Sequence, residues 1–142
     1  MHLIKAYMDH AIFGILGFMS LLALAYAIER FLYYKNIKVD RYKDVNQLEN
    51  DLTQNLTILS IIGSNAPYIG LLGTVIGIMV TFYDMGSGAG IDTNAVLIGL
   101  SLALKATALG LLVAIPTLIV YTACLRKVDV HIAAWKSLDH AA

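Results

Sequence analysis

Charge is scarce in this chain. Of its 142 residues, 14% are charged and 58% hydrophobic, and ten Lys plus Arg balance ten Asp plus Glu. A soluble domain carries about 25% charged residues. The balance of signs leaves no net basic field to draw nucleic acid. There is one cysteine, Cys124, which excludes an internal disulfide framework, and no Cys/His cluster has metal-ligand spacing. Neither metal nor cofactor is expected. No strand-like alternation runs along the sequence, which argues against an outer-membrane barrel. No Ser or Thr has a neighbouring His base, because His2, His10, His131 and His140 lie near the ends, so nothing supports an enzyme. High apolar content with little charge also excludes a disordered chain. The remaining class is a small membrane protein.

Long apolar runs are what the chain does have. Residues 11–28, 66–83 and 93–125 carry no charge except Lys105. A membrane-spanning helix needs about 20 such residues. The third run would extend about 50 Å as a helix, against a hydrocarbon core of about 30 Å, so it must tilt or project. The expected fold is all-α, a single domain over 1–142. Transmembrane helices fall at about 11–34, 66–84 and 94–123, with an outer turn at 85–93 and an amphipathic cytoplasmic segment at 35–65.

Basic residues in short loops set the orientation. Arg30, Lys35, Lys38, Arg41 and Lys43 follow the first run, and Arg126, Lys127 and Lys136 follow the third, whereas the turn MGSGAGIDTN has none. The N-terminus and this turn therefore face outward, and the middle segment and C-terminus face the cytoplasm. Ala25-Tyr26-Ala27 has the form of a signal-peptidase site, but the basic cluster after it puts it on the cytoplasmic side, and the first helix reads as an uncleaved anchor. Phe31, Tyr33 and Tyr34 read as interfacial aromatics. Within the middle segment, Val45, Leu48, Leu52, Leu56 and Leu59 recur at helical steps. Gly63 and Ser64-Asn65-Ala66-Pro67 read as the end of that helix and the start of the next.

Small residues stripe the second and third spans. Ala66, Gly70, Thr74 and Gly77 lie three or four apart, and Gly73 and Gly77 form GxxxG. Gly99, Ala103, Thr107, Gly110 and Ala114 fall within an arc of about 80°. Such stripes let helices approach closely in lipid. They fit plain packing, or a packed wall carrying one hydroxyl per helix. Thr74 and Thr107 fall at similar depths. Their hydroxyls either bond back to the carbonyls of Gly70 and Ala103 or line an ion path and meet a partner's carboxylate. Lys105 is the costly residue, since a charge at mid-helix costs about 2.5–3.5 kcal/mol. It points roughly 160–200° away from the centre of the stripe. That direction suits contact with the first helix, a neighbouring subunit or the membrane surface.

The block NLTILSIIGSNAPYIGLLGTVIGIMVTF, followed by LALKATALGLLVAIPTLIVY, resembles the ExbB/TolQ/MotA family of ion-driven motor subunits, and most of all its ExbB branch. The patterns APxxGLxGTVxGI and ATAxGLxxAIP carry the likeness. The resemblance implies a homo-oligomeric ring, pentameric in the family, in the bacterial inner membrane. The ring surrounds an ExbD-type single-span partner whose membrane aspartate carries the proton. It implies that the proton motive force is coupled through a TonB-type protein to uptake across the outer membrane, of iron chelates or vitamin B12 for example. The family's two pore threonines correspond to Thr74 and Thr107. The family's usual glutamate, five residues before the second threonine, is Leu102 here, and Lys105 enters the same block. Two other readings stand beside it. One is a TolQ-like role in outer-membrane integrity, and the other an autonomous small transporter titrating Lys105.

Overall fold

The computed structural model describes residues 2–87 and 92–141, and every regular element in them is helical. Helix α1 runs His2–Asn36, a single 3₁₀ turn covers Val39–Arg41, α2 is Val45–Thr53, α3 is Leu56–Gly86 and α4 is Thr93–Ala141. Three of these, α1, α3 and α4, are long and apolar enough to cross a membrane. At about 1.5 Å per residue, the 49 residues of α4 reach about 70 Å, so it projects well past the bilayer. Residues 88–91 of the expected outer turn lie outside the described residues.

Helices α3 and α4 pack antiparallel. Gly63 meets Leu118, Gly70 meets Gly110, Gly77 meets Ala103 and Gly99 meets Thr81. Helix α1 lies along this pair. Near the turn end, Ile12 and Leu16 pack with Ala66, Ala106 and Ala114. Near the other end, Leu48, Leu52, Leu56, Leu59 and Ile62 form a second core with Ala23, Tyr34, Cys124 and Val128. The outside is greasier than the inside. Phe18, Tyr68, Leu112 and Ile119 are all more than 60% exposed, while the α3–α4 seam is built from Gly and Ala. That inversion suits a bundle solvated by lipid, where small residues rather than hydrophobic burial bring helices together.

The boundary between the amphipathic segment and the second span lies elsewhere than expected. No break occurs at Gly63–Pro67, and α3 runs straight through it with Pro67 inside. The chain turns instead at Gln54-Asn55, where Asn55 has φ 69°, the one positive-φ non-glycine among the described residues. Asparagine tolerates this left-handed conformation better than other residues with a side chain. Proline inside a membrane helix is tolerated when neighbouring helices support the freed backbone. Gly63, whose carbonyl loses its partner at Pro67, is packed under Leu118.

Candidate functional site

The α3–α4 crossing sets the geometry. A Cβ at Gly70 would fall 2.6 Å from the Ala106 carbonyl oxygen, and one at Gly110 would fall 2.6 Å from that of Ala66. Only hydrogen fits at either position, so the two backbones touch. Gly77 is likewise closed by Ala103, Gly73 by Ala106 and Ile12, and Gly99 by Thr81. Ala103 and Ala114 are buried. The seam therefore contains every small residue of the two stripes, and also Ala106, which the stripe pattern left out.

One turn from Gly70, the close approach brings two hydroxyls together. Thr74 is 7% exposed. Its Oγ1 lies 2.8 Å from the Ala103 carbonyl oxygen on α4 and 3.3 Å from that of Gly70 on its own helix, and it shares a hydrogen bond with Thr107 Oγ1. Local back-bonding thus accounts for part of Thr74's bonding. Thr107 turns its hydroxyl to Thr74 instead. Ala106 faces Gly73 and Ile12, and successive residues of a helix point about 100° apart. Thr107 accordingly borders the face of the seam turned away from α1, and it is half-buried.

Each hydroxyl has one proton and two acceptor sites. When Thr74 donates to Ala103, Thr107 donates to Thr74 and its own oxygen keeps free acceptor capacity. When Thr74 donates to Thr107, the proton of Thr107 is free to be donated. Without moving a heavy atom, the pair offers either an acceptor or a donor to a group beside it.

Lys105 is not part of this site. It is exposed, and its Nζ lies 5.9 Å from the ring centroid of Phe13 on α1, within cation–π range. Leu102 is also remote, 48% exposed and about 140° around α4 from Thr107.

A second polar constellation escapes the sequence patterns. Arg30 is 1% exposed. Its Nε and Nη2 donate to Glu29 at 2.6 Å each, and its Nη1 donates to the carbonyls of Asp51 and Leu52 at 2.8 and 3.2 Å. The guanidinium stands 4.3 Å from the Tyr33 ring centroid. Tyr34 donates to the Leu52 carbonyl at 2.7 Å, Tyr42 to Asp51 at 2.6 Å, and Trp135 Nε1 to the Tyr42 carbonyl at 2.9 Å. A cation thus closes the C-terminal end of α2, where carbonyls lack helical partners. Arg30 and Tyr34, which read as a basic flank and an interfacial aromatic, are the anchor that folds α2 back on the bundle. The one available signal is an arginine beside a glutamate and two tyrosines where an apolar run ends.

Comparison with known proteins extends this picture. Residues 34–137 match the MotA/TolQ/ExbB proton channel family. The chain is 58% identical to "Biopolymer transport protein ExbB" of Helicobacter pylori strain J99, over 92% of this chain and 90% of that protein. It is 49% identical to the protein of the same name from Aquifex aeolicus, over 95% of this chain and 91% of that protein. It is 40% identical to "Tol-Pal system protein TolQ" of Pseudomonas aeruginosa, over 54% of this chain and 33% of that protein. With its three apolar helices it is a multi-pass membrane protein, and the chain belongs to the MotA/TolQ/ExbB proton channel family.

Proposed function

We propose that the chain is the ring-forming subunit of an inner-membrane proton motor of the ExbB kind, and that the Thr74–Thr107 pair is its contact with the proton-carrying group. The observation that carries the proposal is the pairing itself, two hydroxyls from different helices beside one backbone carbonyl. No Asp or Glu occurs in 11–28, 66–83 or 93–125, so the titrating carboxylate must come from another polypeptide. An ExbD-type single-span protein with a membrane aspartate supplies it. Facing a protonated acid, Thr107 accepts; facing a carboxylate, it donates. A carboxyl that gains and loses its proton thus keeps a hydrogen bond in both states, while its charge and its preferred neighbours change. That difference shifts or turns the inner helices against the ring.

The exposed apolar faces of α3 and α4 serve assembly into a homo-oligomer, a pentamer by analogy with the family. The N-terminus and the turn between α3 and α4 face the periplasm, and α2 and the C-terminus face the cytoplasm, following the basic residues. The output is TonB-dependent uptake across the outer membrane. The ExbB-named relatives match over nearly the whole chain, whereas the TolQ relative matches over about half, which favours this output over outer-membrane maintenance. Lys105 lies on another face of α4 from the threonines, which favours the partner's acid over this lysine as the titrating group.

The test is chelated-iron uptake in cells lacking only this chain, with and without a protonophore. Loss of a protonophore-sensitive uptake, restored by the gene, is expected. Unchanged uptake in cells shown to have no second copy overturns the ExbB output.

A further inference from the structure

A groove runs along an exposed side of α1 and α4, separate from the threonine seam. Its wider part, about 420 Å³, is lined by Phe13, Gly17, Lys105 and Leu109 among others. A narrower part, about 190 Å³, continues past Leu24 and Ala27, and Ser20, Leu112 and Val113 border both. A Cβ on Gly17 would meet nothing within 4 Å. This glycine therefore holds no helix close; it leaves the groove open. From Phe13 to Ala27 the groove is about 21 Å long, somewhat more than half of a hydrocarbon core about 30 Å thick.

Lys105 stands at one end of it. Among the described residues the only ion pair is Arg30–Glu29, so no carboxylate answers this ammonium, and Asp9, one turn from Phe13 along α1, forms no bridge to it. The run 93–125 of α4, uncharged but for Lys105, is about 50 Å long. With a core of about 30 Å centred on it, Lys105 has its backbone about 9 Å inside the boundary nearer the N-terminus of α4. Helical side chains lean toward that end, which takes the ammonium to the headgroup level.

We infer that this groove binds a phospholipid of the leaflet at the N-terminal end of α4, with Lys105 holding the phosphate and an acyl chain lying along Gly17 and Ser20. Charge complementarity chooses the occupant. One cation at the headgroup end of an otherwise apolar slot matches an anionic head on an apolar tail. A spanning helix from a second copy brings no acid within its uncharged runs; its acids at that end, Asp9, Asp84 and Asp92, lie outside them. The motor partner's carboxylate belongs at the threonine pair, on another face of α4. The inference needs only that these helices span a bilayer, so it stands or falls apart from the motor reading.

The test uses the purified full chain in micelles doped with phosphatidylglycerol or with uncharged diacylglycerol, and native mass spectrometry to count retained lipid. Wild type is expected to retain phosphatidylglycerol in preference to diacylglycerol. Lys105→Leu should lose about tenfold in apparent affinity, Lys105→Arg should keep most of it, and Gly17→Leu, which fills open space, should lose it without unfolding. A photo-crosslinker at Leu112, 67% exposed, should yield a phospholipid adduct in cell membranes. Equal retention by Lys105→Leu, no preference between the two lipids, or capture of a second copy at Leu112 in place of lipid each overturns the proposal.

Discussion

Thr74 and Thr107, 33 residues apart in the chain, hydrogen-bond to each other across the seam where Gly70 and Gly110 bring two backbones into contact. The hydroxyl pair depends on that glycine contact. The glycines serve the hydroxyls by letting α4 come near enough for Thr74 to reach the Ala103 carbonyl, 2.8 Å away. The account therefore separates substitutions that open the seam from substitutions that only remove a hydroxyl.

Opening the seam should cost stability. Gly110→Ala pushes a methyl group to 2.6 Å from the Ala66 carbonyl, and overpacking of this kind costs about 1–3 kcal/mol. Gly14→Ala is the control, because its Cβ would meet nothing within 4 Å. Thermal unfolding in detergent should show a lower midpoint for the first variant and no loss for the second.

Removal of a hydroxyl should leave the fold alone. In Thr107→Val, Thr74 keeps its bonds to the Ala103 and Gly70 carbonyls, and one lost neutral hydrogen bond is worth about 1 kcal/mol. Expression level and oligomer size on gel filtration should match wild type. A variant that fails to assemble contradicts this division of labour.

The sequence patterns make the threonine pair and its glycines legible because both are local signals, spaced along single helices. What they miss depends on the tertiary fold. Ala106 looks like any alanine until α1 lies over it. Asn55 ends one helix and begins another only because Leu52 and Leu56 must enter the same core, whereas Gly63 and Pro67 look like a break and are overridden by packing. Arg30 reads as one of several basic flanking residues until α2 folds back and presents its carbonyls.

The anchor at Arg30 gives a third prediction. Arg30→Lys keeps the charge but loses the planar fork that serves Glu29 and the α2 carbonyls together. Freed buried carbonyls cost about 1–3 kcal/mol. Amide hydrogen exchange over Val45–Thr53 should speed up, with exchange at the Gly70–Gly110 crossing unchanged. Uniform acceleration through the bundle contradicts a local anchor.

Asn55 gives a fourth. A non-glycine residue in the left-handed region costs roughly 1–2 kcal/mol, and asparagine bears this conformation better than alanine does. Asn55→Gly should be as stable as wild type or more so, and Asn55→Ala less stable, by thermal unfolding. The reverse order removes the turn assigned to residues 54–55.

Alkaline pH gives a fifth. The hydrogen bond from Tyr42 to the Asp51 carboxylate, and then that with Tyr33, hold the Tyr42 hydroxyl above the usual phenol value. A raised value means the contact is fully present below the ordinary tyrosine pKa of about 10 and is lost only as pH climbs through the raised one. Phenolate absorbance should therefore show Tyr42 ionising late, and Tyr42→Phe should remove its share of the late step.

The most direct measurement is protonophore-sensitive uptake of chelated iron by cells carrying Thr107→Val or Thr107→Ser in place of the wild-type chain, at equal membrane levels of assembled protein. The account predicts loss of uptake with valine and retention of a substantial part with serine, which restores the hydroxyl. Wild-type uptake by the valine variant contradicts it.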